Sequence, residues 1–130
     1  MSESTPKRAL VAGHGDFAAG LISAVEAVTG RGDLLDPIEV KGLCGEDIQL
    51  LLSQRLKANG ATIIFTDLQA GSCTMAARRL LREMPGVLLV SGANLPMLLD
   101  FVMSSAEAQE AARAAVERAK AAISVYEAPK

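Results

Sequence analysis

Aromatic residues are almost missing from this chain: its 130 residues include no tryptophan, one tyrosine and three phenylalanines. Half of the composition is nonetheless hydrophobic, so the core has to be built from Leu, Val, Ile, Ala and Met. A chain of this length can bury a sizeable core as a single domain over residues 1–130. Cysteine is scarce too: Cys44 and Cys73 lie far apart and outside any C-x-x-C motif, which reads as two free thiols. One histidine and two scattered cysteines give no reason to expect a metal site. No apolar run is long enough to cross a bilayer as a helix. The start of the chain, at about residues 1–7, is short and polar and is expected to be a disordered tail. It lacks the basic, apolar and small-residue regions of a signal peptide, so the expected compartment is the cytoplasm. The net charge is −2 and the isoelectric point about 5.4. With no cluster of Lys and Arg, that balance argues against a nucleic-acid partner.

Several signatures are also missing. Gly13 and Gly15 begin what could become G-x-G-x-x-G, but Ala18 stands where the third glycine belongs, so no dinucleotide fingerprint is completed. There is no Gly-x-Ser-x-Gly elbow for a serine hydrolase and no Gly-Lys-Ser or Gly-Lys-Thr for a P-loop.

What is present is a regular alternation. Residues 8–13 read as a first strand and residues 17–29 as a first helix closed by Gly30. Residues 34–40 form an edge or irregular strand containing Pro37. A second helix spans 45–59, and the β-branched run 61–66 is a third strand. A third helix follows over 72–84 with Ser72 as its N-cap. The strand 87–90, a short helix 95–103 and an alanine-rich helix 106–122 come next. Residues 123–126 suggest one last short strand. Strands alternating with helices imply a parallel sheet with right-handed crossovers, covered on both faces. The expected fold is thus a three-layer α/β/α sandwich around a mostly parallel four-stranded sheet.

In such sheets the loops after the strands gather at one end, where ligands bind. Three of these loops carry the residues of interest: Gly13-His14-Gly15-Asp16, Thr66-Asp67-Leu68-Gln69-Ala70-Gly71-Ser72, and Ser91-Gly92-Ala93-Asn94-Leu95-Pro96. His14, the only histidine, sits between two glycines that let another molecule approach. A carboxylate on one ring nitrogen would fix the tautomer and aim the other nitrogen outward as a nucleophile. Asp67 is the first choice for that carboxylate, because it is the first polar residue after a buried strand. Asp16 is second, since it stands where it would cap the first helix. Ser72 and the backbone at Gly71 lead into a helix start, a natural anion cradle. Histidine, carboxylate and cradle together suit phosphoryl transfer through phosphohistidine, with no metal or organic cofactor.

Each residue also has a plainer reading. A lone histidine is often structural, Asp67 can be a turn residue, and Ser72 an ordinary cap. Asn94 and Pro96 can serve only to shape a helix start. Cys73 reads as buried and inert. Glu107, Glu110, Arg113, Glu117 and Arg118 read as a solvated helix face.

Three segments carry a resemblance over nearly the whole chain: Gly13-His14-Gly15, Phe65-Thr66-Asp67 followed by Ala70-Gly71-Ser72, and Gly92-Ala93-Asn94-Leu95-Pro96-Met97-Leu98. In order and spacing they resemble the enzyme IIA domain of the mannose-type sugar phosphotransferase system. The resemblance implies a phosphotransferase component. The histidine matching His14 takes a phosphoryl group from the phosphocarrier HPr and passes it to a IIB component, here on a separate chain. The membrane permease IIC/IID is then served indirectly. It implies Asp67 as the partner of His14 and Ser72 near the phosphoryl group. It also implies a homodimer exchanging a C-terminal strand, which gives residues 123–126 a role. Loop three departs from the family's frequent Gly-Gly-Ser-Pro, having Ala70-Gly71-Ser72-Cys73 instead. Two other functions fit the same residues. One is a regulatory phospho-acceptor module, including the phosphoryl-donor type of dihydroxyacetone kinase. The other is a small-molecule binding domain.

Overall fold

The computed structural model describes residues 7–130; the expected N-terminal tail, apart from Lys7, lies outside the described residues. The elements are β1 (Ala9–Ala12), α1 (Phe17–Thr29), a 3-10 turn (Gly32–Leu34), β2 (Leu35–Ile38), α2 (Gly45–Asn59), β3 (Ile63–Thr66), α3 (Ser72–Leu81), β4 (Leu88–Val90), α4 (Leu95–Met103) and α5 (Ala108–Ala121). The four strands form one parallel sheet in the order β2-β1-β3-β4. β1 and β3, the central pair, are buried at every residue, as strands covered on both faces must be. Pro37, which has no N–H to give, is exposed on the edge strand β2.

The period of two along β1 and β3 divides the core. Ala9, Val11, Ile63 and Phe65 face the layer made by α1, α4 and α5. Leu10, Ala12 and Ile64 face α2 and α3, where Ile48, Leu52, Leu56, Ala76, Ala77 and Leu80 cover them. Two of the few aromatics meet in the first layer, Phe65 and Phe101, edge to face with ring centres 5.2 Å apart. The two layers and the sheet make the expected α/β/α sandwich.

The structure corrects three expectations. Within the single chain residues 123–126 form no strand: α5 ends at Ala121, and Ile123, Val125 and Tyr126 beyond it are exposed at 75%, 89% and 90%. Ser72 is not the N-cap of α3. The Met75 N–H bonds the Gly71 carbonyl at 3.0 Å, which makes Gly71 the cap and Ser72 the first helical residue. α3 stops at Leu81 rather than Met84, its last residues tightening into turns on the Leu80 carbonyl before Pro85-Gly86. Glu107, read as one of the solvated charges, also caps α5, accepting the N–H groups of Gln109 and Glu110.

Candidate functional site

The chain leaves the central strands in opposite directions. β1 runs through α1 to its outer neighbour β2, and β3 runs through α3 to its outer neighbour β4. The crevice between the carboxyl ends of β1 and β3 is therefore the topological switch point of the sheet. His14 stands two residues past Ala12, and Asp67 directly past Thr66; Ala12 and Thr66 are register partners. Continuing the strand's alternation, Thr66 turns toward α3 and Asp67 toward the start of α1.

There the two loops meet. His14 Nδ1 lies 2.7 Å from Asp67 Oδ2, and the His14 backbone N–H donates to the same oxygen at 2.8 Å. Asp67 Oδ1 accepts the Leu68 N–H at 2.9 Å. An ionised carboxylate only accepts, so Nδ1 carries the proton and Nε2 the lone pair. Burial pushes the Asp67 carboxyl upward. The His14 backbone N–H, the His14 ring with its charge, and the Leu68 N–H outweigh it and hold the group below its ordinary value. The Asp67 side chain is only 10% exposed while that of His14 is 61% exposed. The carboxylate is thus an internal anchor, and the imidazole faces outward.

Two glycines make the approach possible. A Cβ on Gly13 would sit 2.6 Å from the Phe17 ring and 2.9 Å from Asp67 Cγ, and one on Gly71 would sit 3.0 Å from His14 Cε1. Cε1 is one bond from Nε2, so the lone-pair nitrogen of the ring lies near the start of α3. Within a helix the first N–H groups have no acceptor. Those of Ser72, Cys73 and Thr74 precede the first paired donor, Met75, and the Ser72 side chain is exposed beside them. Gly15 follows His14 in a left-handed turn, with φ at 52°.

The remaining residues fall into plainer places. Asp16 occupies the cap position of α1 without a side-chain capping bond, and His14 is paired by Asp67 instead. Asn94 caps α4, its side chain accepting the Met97 N–H at 3.0 Å, and Pro96 lies in the first turn of that helix. Loop four is tied to β3 through Ala93 N–H to the Thr66 carbonyl at 2.9 Å. Cys73 is buried, and burial together with the charge of Asp67 raises its thiol pKa, the reverse of an activated cysteine. Sequence reasoning missed Thr74, whose hydroxyl bonds both Thr66 and the Leu68 carbonyl. A polar residue on the otherwise apolar buried face of α3 was the available signal. Among the described residues no three His, Cys, Asp or Glu side chains come together to hold a metal ion, and no helix is long and apolar enough to cross a membrane.

Solved structures share this architecture. The chain is 20% identical to a mannose/sorbose specific IIA subunit of the phosphotransferase system from Enterococcus faecalis, with a TM-score of 0.78 over 95% of this chain and 97% of that one. It is 26% identical to a candidate phosphoenolpyruvate-dependent sugar phosphotransferase system permease from Klebsiella pneumoniae, with a TM-score of 0.78 over 96% and 95%. It is 21% identical to phosphotransferase system component EIIA from Streptococcus agalactiae, with a TM-score of 0.79 over 91% and 95%. No curated protein matches. A family model for the fructose IIA component of the phosphotransferase system matches residues 8–120, both central strands and the loops that follow them included, and the chain belongs to that family.

Proposed function

We propose that the chain is a phosphohistidine carrier, with His14 accepting a phosphoryl group from HPr and passing it to a IIB component in sugar uptake. The observation that carries this reading is the 2.7 Å contact of Nδ1 with a half-buried carboxylate, on an imidazole whose side chain is exposed at the switch point. The Nε2 lone pair attacks the phosphorus of the donor's phosphohistidine. A new N–P bond forms as the donor's N–P bond breaks, and the donor imidazole leaves with the electron pair. Positive charge grows on the His14 ring, and Asp67 stabilises it at Nδ1. Ser72 and the backbone N–H groups at the start of α3 hold the phosphoryl oxygens. The second transfer reverses these roles, with the nucleophile of the IIB component attacking. No cofactor is needed, because the phosphoryl group arrives already activated.

The same reading makes the chain one cytoplasmic IIA unit and a homodimer. Support for the dimer lies in the exposed residues Ile123, Val125 and Tyr126 and in a groove beside the edge strand β4 lined by Leu88, Leu89 and Val116. An extended segment from a second copy can pair along such an edge. The test of the carrier is transfer of label from phosphoenolpyruvate through enzyme I and HPr. His14→Ala is expected to take none, and label transfer surviving in that variant would overturn the assignment.

A further inference from the structure

Among the described residues the buried polar side chains are two, Thr66 and Thr74, and they touch. Thr66 Oγ1 and Thr74 Oγ1 are 2.5 Å apart, and Thr74 Oγ1 is 2.6 Å from the Leu68 carbonyl. A hydroxyl donates once and a carbonyl only accepts. The Thr74 proton therefore goes to Leu68, and Thr66 donates to Thr74. The direction of the chain is fixed: Thr66 to Thr74 to the Leu68 carbonyl. That carbonyl also receives the Gly71 N–H at 3.3 Å, closing the turn Leu68–Gly71, while the Thr66 carbonyl receives the Ala93 N–H from loop four at 2.9 Å.

This relay reaches the candidate site from below. The outer residues of the turn, Leu68, Gln69 and Ala70, are exposed, so packing does not fix them. Asp67, which holds His14 Nδ1, immediately precedes the turn, and Gly71, on which the imidazole rests, ends it. A slack turn would let both move against the ring, and a displacement of about 1 Å at a reacting group can cost of order 10²-fold in rate. We propose that Thr74, backed by Thr66, is a positioning residue of the transfer site, pinning the Leu68–Gly71 turn so that the carboxylate and the start of α3 keep their places about His14. The proposal rests on His14 being the phosphoryl acceptor.

The test compares Thr74→Val, Thr74→Ser and the double variant Thr66→Val/Thr74→Val. Valine keeps the shape of threonine. In the double variant neither hydroxyl is left without its partner, and the Leu68 carbonyl keeps the Gly71 N–H, so that protein is expected to fold even if Thr74→Val alone does not. The initial rate of His14 phosphorylation is read against HPr concentration. The maximal rate is expected to fall about 10-fold in the valine variants, with the half-saturating HPr concentration unchanged, and Thr74→Ser is expected to recover most of the loss. The proposal is overturned if the folded double variant transfers at the parental rate, or if Thr74→Ser is as slow as Thr74→Val. The second readout is the pair of imidazole nitrogen resonances of His14 in unphosphorylated protein. A sharp Nδ1–H tautomer is expected in the parent, with exchange broadening or a shift in the valine variants. If the parent itself takes no phosphoryl group, the carrier reading falls. The resonances still decide the positioning claim, since a His14 ring unchanged in the double variant overturns it.

Discussion

The two faces of the sheet do different work. On the α1, α4 and α5 face the packing is apolar throughout and anchored by Phe65 against Phe101. On the α2 and α3 face the core is free of aromatics, and at the last residue of β3 Thr66 and Thr74 introduce a hydrogen-bonded polar pair just below loop three. One face holds the sheet together, and the other also holds a loop. His14 belongs to the loop that leads into α1 and Asp67 to the loop that leads into α3. The candidate site is therefore a seam between the two layers, and changes to each layer should be felt differently there.

The strongest way to break that contrast is to empty the aromatic face. Phe101→Ala should destabilise the fold by about 3–5 kcal/mol, seen as a lower urea midpoint, while phosphoryl transfer per folded molecule stays close to the parent. A large loss of transfer in the folded fraction would mean that the two faces are not separable. Next in size is the seam itself. Asp67→Ala should slow transfer on the order of 10²-fold, about 2.7 kcal/mol in the barrier, with the fold retained. An unchanged rate would reduce Asp67 to a turn residue. Gly71→Ala places a methyl group 3.0 Å from His14 Cε1 and should slow transfer about 10-fold by displacing the ring; stability should hardly change, because His14 lies at the surface.

The smallest effect is on stability in acid. The Asp67 carboxyl is held below its ordinary value in the folded chain, so its contribution to stability is fully present above the unfolded value of about 3.9 and is lost as pH falls through the folded value. Urea midpoints measured from about pH 5 downward should fall less steeply in Asp67→Asn than in the parent. Equal slopes would remove the carboxylate from the acid limb of the stability curve.

Much of this was legible in the sequence because its signals are local. Apolar runs ending in Gly13-His14-Gly15 and in Thr66-Asp67, glycines closing α1 and α2, and Pro37 on an edge strand all report on a few neighbouring residues, and the structure places them as expected. Asp67 could be ranked above Asp16 because it is the first polar residue after a buried strand, whereas Asp16 stands at a helix start. What stayed illegible depends on contacts remote in sequence or outside the chain. The Thr66–Thr74 pair needs α3 laid over the end of β3 before its meaning is visible. Residues 123–126 have strand-like composition but pair with no strand of their own chain. The shift of the α3 cap from Ser72 to Gly71 is one residue, the usual uncertainty of a helix end read from composition.

The proposed function stands or falls on His14 carrying the phosphoryl group. Intact-mass spectrometry after incubation with phosphoenolpyruvate, enzyme I and HPr tests it most directly. The account requires a gain of one phosphoryl group that is labile in acid and absent from His14→Ala. No gain with cognate donor proteins, or a gain that persists in His14→Ala, would contradict it.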